Sequence, residues 1–382
     1  MVTLQDVAHA AGVSVATASW AINDDPKARI PQATRDRVRR AADRLGYRRN
    51  ALARGLARGR SDLIGFISDG VATSPFAGQV IRGAQDEAWK NGKILLVVDT
   101  GGDRRMEEKA FEFMLERRVE GVAYSSWVHR RVEAPRGLSG VNTVLVNCYD
   151  REGRFPAVVP DEVGGGRSAT RLLLQAGHRR IAFINASART PASVGRLKGY
   201  RQALSEAGVA YDPSLVIREK EADQESGYRA MRAVMATGAT AVFCHNDRTA
   251  MGFYDALREH GLRVPDDISV VGFDNQEVIS AHLHPALTTV GLPQYDLGRM
   301  GIRTLLTGGG AAADLSDGTR ACSGSQAGAD SPSERDGDSP VPGAATGPPA
   351  EPAVRSAAVR TGSHGPQLVA CPVVLRDSIS RV

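Results

Sequence analysis

The first 47 residues place their apolar side chains at the spacing of three short helices. The first, "TLQDVAHAA", ends at Gly12. The third, "QATRDRVRRAADRLGY", turns Val38, Ala42 and Leu45 inward and its arginines outward. The middle segment, "SVATASWAIN", follows the turn that contains the glycine. A helix, such a turn and a second helix form a helix-turn-helix, with a generic three-helix bundle as the alternative.

The middle helix poses a question about its tryptophan. Ser14 is a residue type that favours the N-cap, so the helix is predicted to begin after it. Val15, Ala18 and Ile22 then form one apolar stripe. Trp20 lies on the far side from that stripe, where the helix has no core to pack against. We therefore expect the indole to face another molecule.

From residue 63 onward, apolar runs of strand length alternate with helical patterns. This alternation predicts βαβ units in two successive sets, and hence two doubly wound parallel sheets. A ligand cleft is expected between them, at the carboxyl ends of the strands. The predicted strands of the two sets are "LIGFIS", "KILLVV", "VEGVAYS" and "TVLVN", then "RRIAFINA", "ATAVFCHND" and "DISVVGF".

Residues 308–366 have a different composition. They contain no aromatic residue, isoleucine or methionine and are rich in Gly, Ala, Ser, Pro and Asp. Such a segment cannot bury enough apolar surface to offset the entropy of ordering, so we expect a disordered insert. The strand-like "QLVACPVVLRDS" that follows indicates that the fold resumes after it.

These patterns divide the chain into five parts. We expect an all-α helix-turn-helix headpiece joined to an α/β core of two doubly wound subdomains. The predicted bounds are 1–49 for the headpiece, 50–61 for a linker, 62–159 with 291–307 for the first subdomain, 160–290 with 367–382 for the second, and 308–366 for the insert.

Charge is unevenly distributed. The chain carries a net charge of +5, but residues 1–60 alone hold one lysine and eleven arginines against five aspartates, a net +7. A small basic module on a mildly acidic body suggests a polyanion partner, and a solvated arginine face is the alternative. The four cysteines lack CxxC spacing, which suits free thiols in a reducing cytoplasm. The sequence has no signal-peptide pattern and no apolar run long enough to span a membrane, so we expect a cytoplasmic protein.

Several segments resemble the lactose-repressor (LacI/GalR) family of bacterial transcription regulators. They are "VTLQDVAHAAGVSVATAS", "RVRRAADRLGYRRNALARGL", "AGHRRIAFI", "GRLKGYRQALSEAG", "GLRVPDDISVVGFDN" and "PALTTV". The likeness runs from Val2 to about Leu306 and resumes over about 367–378. It implies a homodimer or tetramer that binds double-stranded DNA at a pseudo-palindromic operator. It also implies a hinge helix and a periplasmic-binding-protein-like sensor core that takes a small effector.

A second helix in the major groove would turn Val15, Ala16 and Trp20 toward base edges. Thr17 and Ser19 carry hydroxyls suited to phosphates. The family often has arginine or another polar residue at the position of Trp20, and an indole cannot make arginine's bidentate contact with guanine. It can touch a thymine methyl or donate one hydrogen bond; packing within the headpiece is the alternative. The residues expected to bind DNA are Thr3, Ser14, Val15, Ala16, Thr17, Ser19, Trp20, Asn23, Tyr47, Asn50, Ala53, Arg54 and Leu56.

The linker "NALARGLARGRS" can form about two helical turns from Ala51 to Arg58. By resemblance this is the hinge helix, and Leu56 is the residue that wedges into the minor groove. Gly55 costs about 1 kcal/mol relative to alanine, and so short a helix is marginal alone. We expect the hinge to fold only on DNA; a flexible basic linker is the alternative.

Polar residues follow several predicted strands, among them Asp69 and Asp247. Carboxylates and amides accept hydrogen bonds from hydroxyls, arginine donates, and an aromatic ring stacks on a sugar face, so a polyhydroxylated ligand fits. For any one aspartate, capping of the next helix is the alternative. By resemblance, the residues expected to contact the effector are Phe76, Asp161, Arg196, Asn246 and Asp274.

Enzymatic function has little support. We find no GxGxxG, P-loop or GxSxG motif, and His282 and His284 lack a third ligand at zinc-site spacing. We therefore expect no catalytic residue, cofactor or metal. A stand-alone sugar-binding receptor is the alternative function, although that class normally carries a signal peptide. A hydrolase on a similar fold would need a nucleophile motif.

Overall fold

The computed structural model describes residues 2–24, 28–47, 61–74, 77–133, 136–138, 140–308 and 365–382. The predicted hinge with Asn50, Ala53, Arg54 and Leu56, the predicted effector contact Phe76, and nearly all of the predicted insert lie outside these residues.

The headpiece is a bundle of three helices, α1 (Leu4–Ala11), α2 (Val15–Asn23) and α3 (Gln32–Leu45). Its core side chains are small, as the short helices require. The apolar face of α2 consists of Ala18, Ala21 and Ile22, which are each at most 5 % exposed. The prediction that Val15 belongs to this face is wrong, since Val15 is 45 % exposed. Val15 is the first residue of α2 and lies at the edge of the packed surface. Ala21 is buried on the core face instead, together with Ala18 and Ile22.

The remaining elements follow in chain order. They are β1 (Leu63–Ser68), α4 (Gly78–Lys90), β2 (Ile94–Asp99), α5 (Arg104–Glu116), β3 (Val122–Val132), β4 (Thr143–Asp150), β5 (Ala157–Pro160), α6 (Glu162–Gln175), β6 (Ile181–Ala186), α7 (Pro191–Glu206), β7 (Val216–Glu219), α8 (Gln224–Ala236), β8 (Ala241–Cys244), α9 (Asp247–Glu259), β9 (Ser269–Asp274), α10 (Glu277–Ser280), β10 (Thr288–Gly291), α11 (Gln294–Thr307), β11 (Gln367–Val369) and β12 (Val373–Val374). Single 3-10 turns lie at Arg136–Leu138 and Pro213–Leu215.

Two six-stranded sheets organise these elements. The first has the order β11-β5-β4-β3-β1-β2 and is parallel throughout. The second has the order β12-β10-β9-β8-β6-β7, with only β12 antiparallel. Buried apolar side chains on both faces of each sheet explain the nearly continuous hydrophobic runs of the central strands. The predicted fold class, a helical headpiece with two doubly wound α/β subdomains, is confirmed.

One boundary differs from the sequence prediction. The whole of 367–382 was assigned to the second subdomain, but Gln367–Val369 pairs with β5 in the first sheet. Only the following strand, β12, joins the second sheet by pairing with β10. The chain therefore crosses between the subdomains once more after residue 369. The backbone of Asp161 donates to the Val369 carbonyl at 2.8 Å beside this crossing.

Candidate functional site

A cleft of about 420 Å³ lies between the two subdomains. Strand ends from both sheets supply its walls, as expected for ligand sites at the carboxyl edge of parallel sheets. The side chains discussed below come from β3, β4, α6, α7, the ends of β8 and β9, and the start of α9: Trp127, His129, Asn147, Glu162, Arg196, His245, Asn246, Arg248, Asp274 and Gln276.

Arg196, on the second turn of α7, is the centre of a buried polar network. Its Nε donates to Glu162 at 2.8 Å and one terminal nitrogen donates to the His245 carbonyl at 2.5 Å. The other terminal nitrogen donates to Asp274 at 3.4 Å. The guanidinium also lies 3.6 Å above the centre of the Phe273 ring, and the side chain is only 4 % exposed. Each of its three nitrogens thus donates one hydrogen bond to a protein acceptor, which uses three of the five N–H groups of a guanidinium.

Glu162 connects the two subdomains. Its carboxylate pairs with Arg196 on its own side of the cleft, and it accepts from Nδ1 of His129, on β3, at 3.2 Å. Burial opposes ionisation, but the Arg196 charge and the His129 hydrogen bond outweigh it and lower the pKa of Glu162 to about 2. As the first residue of α6, the carboxylate also lies at the positive end of the helix dipole. Glu162 is therefore an ionised bridge across the base of the cleft.

His245 is a neutral partner in this network. Burial, and then the nearby Arg196 charge, lower its pKa to about 3. Its Nδ1 donates to Asn185 Oδ1 at 2.9 Å, because Asn185 Nδ2 is occupied in donating to the Ser193 carbonyl. The other ring nitrogen, Nε2, is then an acceptor.

Asp274 lines the cleft and interacts electrostatically with a second aspartate, Asp247, which is fully buried. Burial, and then the charge of Asp274, raise the pKa of Asp247 to about 8; its carboxylate accepts from the Thr289 hydroxyl and the Gln276 backbone at 2.6 and 2.7 Å. Burial also raises the pKa of Asp274, although Arg196 opposes the shift. Asp274 has a φ of +100°, a strained backbone conformation for a residue with a side chain. This strain lies where β9 delivers its carboxylate to the cleft.

An irregularity in β3 presents two side chains to the cleft. Pairing with β4 shifts register between Ser125 and Arg130. The buried carboxylate of Asp69, just after β1, accepts from the Trp127 backbone at 2.7 Å and the Ser126 hydroxyl at 2.9 Å, and it pairs with Arg130. Held in this way, the irregular segment carries Trp127 and His129 into the cleft lining. Asp69 therefore shapes the site without lining it.

The predicted effector residues separate into three groups. Arg196, Asn246 and Asp274 line the cleft. Asp161 is not among the lining residues, because its carboxylate caps α6 by accepting from the Gly164 backbone at 2.8 Å, and its contact with an effector stays a prediction. Phe76 lies outside the described residues. Asn246 lines the cleft and also caps α9, because its Oδ1 accepts from the Thr249 backbone at 2.9 Å.

Sequence reasoning missed several lining residues, namely Trp127, His129, Asn147, Glu162, His245 and Gln276. Glu162 and His245 are the chain neighbours of Asp161 and Asn246, which the sequence had predicted to contact the effector. Trp127 and His129 follow a predicted strand, and only the pairing irregularity reveals which way they point.

The headpiece offers an exposed face on α2. Val15 and Trp20 are each 45 % exposed and Ala16 is exposed, on the side away from the headpiece core. Ser14 caps the helix by accepting from the Thr17 backbone at 3.1 Å. Asn23 donates to the Ser19 hydroxyl at 3.3 Å.

Two other residues predicted to bind DNA have structural contacts. Thr3 caps α1 in a reciprocal arrangement with Asp6, and half-buried Tyr47 packs against the headpiece core. Some of the headpiece arginines are likewise structural. Arg35 and Arg39 both pair with Asp24 at the end of α2.

Comparison with known proteins gives two family matches. Residues 3–50 match the model described as "Bacterial regulatory proteins, lacI family", and residues 170–315 match a periplasmic binding protein-like domain. The ribose operon repressor of Haemophilus influenzae is 31 % identical over 309 residues, covering 80 % of this chain and 91 % of that protein.

Solved structures show the same architecture. The complex of the transcriptional regulator CelR with cellobiose is 26 % identical, with a TM-score of 0.59 over 99 % of this chain and 100 % of that one. A lac repressor dimer bound to operator and an anti-inducer is 24 % identical, with a TM-score of 0.70 over 99 % of each chain. In the part of the chain that the structure describes, no helix is long and apolar enough to cross a membrane. The same residues contain no cluster of three or more potential metal-binding side chains.

Proposed function

This chain belongs to the lacI family of bacterial regulatory proteins and is therefore a DNA-binding transcription regulator; we propose that it represses transcription and that a small, sugar-like effector in the cleft controls it. The observation that supports this most directly is the presence on one chain of both parts: a basic headpiece with an exposed helix face, and a cleft walled by two subdomains. A homodimer would place two headpieces on a pseudo-palindromic operator. Because its partner is DNA, we infer that the protein acts in the cytoplasm, and that it needs no catalytic step.

The position of the cleft between the two subdomains explains how an effector would control DNA binding. A ligand changes DNA affinity only if it binds one arrangement of the subdomains better than another. The Glu162–His129 bridge already joins the two walls, and an effector that contacts both would change the balance between arrangements. The receptor alternative has the cleft but gives no role to the exposed face of α2.

The test begins with selection of operator sequences from random DNA by the full-length protein. Footprinting of the selected sites should show symmetrical protection, and a ligand that raises the melting temperature should change operator affinity. Ligand binding with only uniform, sequence-independent protection of DNA would favour the receptor alternative.

A further inference from the structure

The second subdomain has a groove with a strongly positive lining, separate from the cleft between the subdomains. Its walls are the exposed side of α7, the loop before that helix and one residue of the edge strand β7, and its volume is about 570 Å³. The cations that line this basic groove are Arg189, Lys198, Arg201 and Arg218. None of the described residues in the lining carries a carboxylate. A concave site of this size suits a small molecule, whereas a protein partner would need a surface of about 800 Å².

The acidic side chains that lie near the basic groove in the sequence are engaged elsewhere. Each pairs with an arginine outside the lining, in the pairs Glu206–Arg167, Asp212–Arg180 and Glu219–Arg229. Arg189, Lys198 and Arg218, by contrast, form no ion pair with any residue that the structure describes. Because no carboxylate of the protein balances these cations, the basic groove is expected to concentrate anions from solution.

Strand geometry explains how β7 separates its own charges. Val216 packs against the core on the α7 side of the sheet, and Ile217 packs against the core on the α8 side. Successive side chains of a strand alternate between its two faces. Arg218 therefore lies on the same side as α7, within the basic groove, while Glu219 lies on the other side and pairs with Arg229 of α8.

One of the four cations is held in a fixed position by aromatic neighbours. The guanidinium of Arg201 lies 4.3 Å from the centre of the Tyr211 ring and donates to the Tyr211 hydroxyl at 2.9 Å. Tyr211 in turn packs edge-on against the buried ring of Tyr200. This arrangement uses one of the five N–H groups of the guanidinium. The planar fork of Arg201 is thus positioned in advance to donate to the oxygens of a phosphate.

We propose that the basic groove is a second ligand site, which binds a small organic molecule carrying two or more phosphate groups. A single phosphate carries at most about two negative charges at pH 7, and four cations can balance more than that. Val194, which is 46 % exposed, and Leu197 lie among the cations and supply apolar contact for the rest of the molecule. The basic groove shares no lining residue with the cleft, so this site does not depend on the proposed function.

The test measures how fast an acetylating reagent modifies each lysine of the full-length protein, read by mass spectrometry. The probes are pyrophosphate and ADP, with adenosine as the uncharged comparison. Lys198 is exposed, and its modification should slow at least about threefold with either phosphate and stay unchanged with adenosine, because a bound phosphate covers its amine. Lys90 and Lys109, which are exposed on α4 and α5, should react at the same rate throughout.

Variants of the basic groove show whether the protection of Lys198 comes from binding there. Arg189→Gln and Arg218→Gln should each raise the pyrophosphate concentration for half-protection about tenfold, as loss of one hydrogen bond to a charged group predicts. Both side chains are exposed, so the variants should fold normally. Arg171→Gln is the matched control, because Arg171 is exposed on α6 of the same subdomain but does not line the basic groove. It should leave the half-protection concentration unchanged.

Several results would overturn the proposal. One is a Lys198 that reacts at the same rate with and without each phosphate. Another is protection confined to Lys220, which lines the cleft, or to Lys27 in the headpiece sequence, since the phosphates would then bind elsewhere. Equal half-protection in both groove variants and the wild type would also exclude the site. Protection of Lys198 by a DNA duplex but by neither phosphate would assign the basic groove to nucleic acid.

Discussion

Trp20 is the residue whose position says most about DNA recognition. Its indole lies opposite the buried face of α2 and is 45 % exposed, so folding gains little from it and its contribution is expected on binding. Trp20→Ala should leave the melting temperature within about 1 °C, because surface changes usually stay within ±0.5 kcal/mol. It should weaken the specific operator by about 1–3 kcal/mol with little change on random DNA. Trp20→Phe keeps an aromatic face and is the control. Unfolding of the headpiece without a selective loss would assign Trp20 to packing.

Arg196 differs from an ordinary surface arginine. Its removal would strand the buried carboxylate of Glu162, and breaking such a pair typically costs about 3–5 kcal/mol. We expect Arg196→Ala to lower the free energy of unfolding by that amount. Arg167→Ala breaks an exposed pair with Glu206 across the same two helices, α6 and α7, and should cost under about 1 kcal/mol. Urea unfolding of both variants measures the difference. Equal losses of unfolding free energy would contradict a central role of Arg196 in the buried polar network.

Asp247 makes stability depend on pH. Burial raises its pKa from 3.8 to about 8, so between these values the folded protein binds a proton that the unfolded chain releases. Its contribution is therefore fully present below about pH 4 and is lost as the pH rises through 8. Melting temperatures measured from pH 5 to 9 should fall for the wild type and fall less for Asp247→Asn. Parallel curves for the two proteins would show that another group controls this range.

At the residue scale, the sequence predicted that polar side chains lie near the cleft, but it did not predict which of two neighbouring side chains enters it. Asp161 and Glu162 are neighbours at the start of α6, and a capping carboxylate looks the same in sequence as a cleft carboxylate. The distinction depends on the backbone turn, which directs Asp161 to Gly164 and Glu162 to Arg196. Likewise, His129 lies in an irregular segment of β3 that Asp69, 60 residues earlier, holds by accepting from the Trp127 backbone.

Among the elements, paired glycines let helices pack very closely. A Cβ on Gly83 of α4 would lie 1.9 Å from the Tyr295 carbonyl oxygen of α11, and one on Gly298 would lie 1.8 Å from the Val80 oxygen. The same reciprocal contact recurs between α8 and α9, where Gly227 approaches Thr249. These helices therefore approach each other backbone to backbone.

Gly83→Ala should force α4 and α11 apart and cost about 1–3 kcal/mol of stability, as overpacking does. Gly78→Ala, in the same helix, is the matched control, because its Cβ would have no neighbour within 4 Å among the described residues. That control should be neutral or slightly stabilising. Thermal unfolding compares them, and a stable Gly83→Ala protein would mean that the helices can separate without loss.

The central strands were predictable from their apolar runs, and β1 coincides with "LIGFIS". The four-residue strands β7 and β10 were not predicted. Edge strand β7, "VIRE", has too few apolar residues to give a period. The sheet that receives β11 could not be predicted either, because three residues carry no information about a partner strand 209 positions earlier. Its pairing with β5 depends on the chain crossing between subdomains.

At the scale of the whole molecule, positive charge is concentrated in the part of the chain that is expected to bind DNA. The basic residues of 1–60 give that part a net +7, while the rest of the chain is mildly acidic. Long-range attraction to DNA is therefore expected from residues 1–60, which are the headpiece and the linker, and the body does not compete for the DNA phosphates. Arg35 and Arg39 are partly neutralised by Asp24, so fewer than twelve cations are available for DNA.

This distribution predicts how operator affinity responds to salt and symmetry. If two headpieces together neutralise 6–10 phosphates, affinity should fall by about 10³–10⁵-fold between 50 and 200 mM salt. A half-site should bind about a hundredfold more weakly than the full pseudo-palindrome, because the second headpiece then has no specific partner. Fluorescence anisotropy on full and half-sites across a salt series measures both effects. A half-site that binds as tightly as the full site would exclude a symmetrical dimer on DNA. A flat salt response would mean that the headpiece arginines serve the fold and make few phosphate contacts.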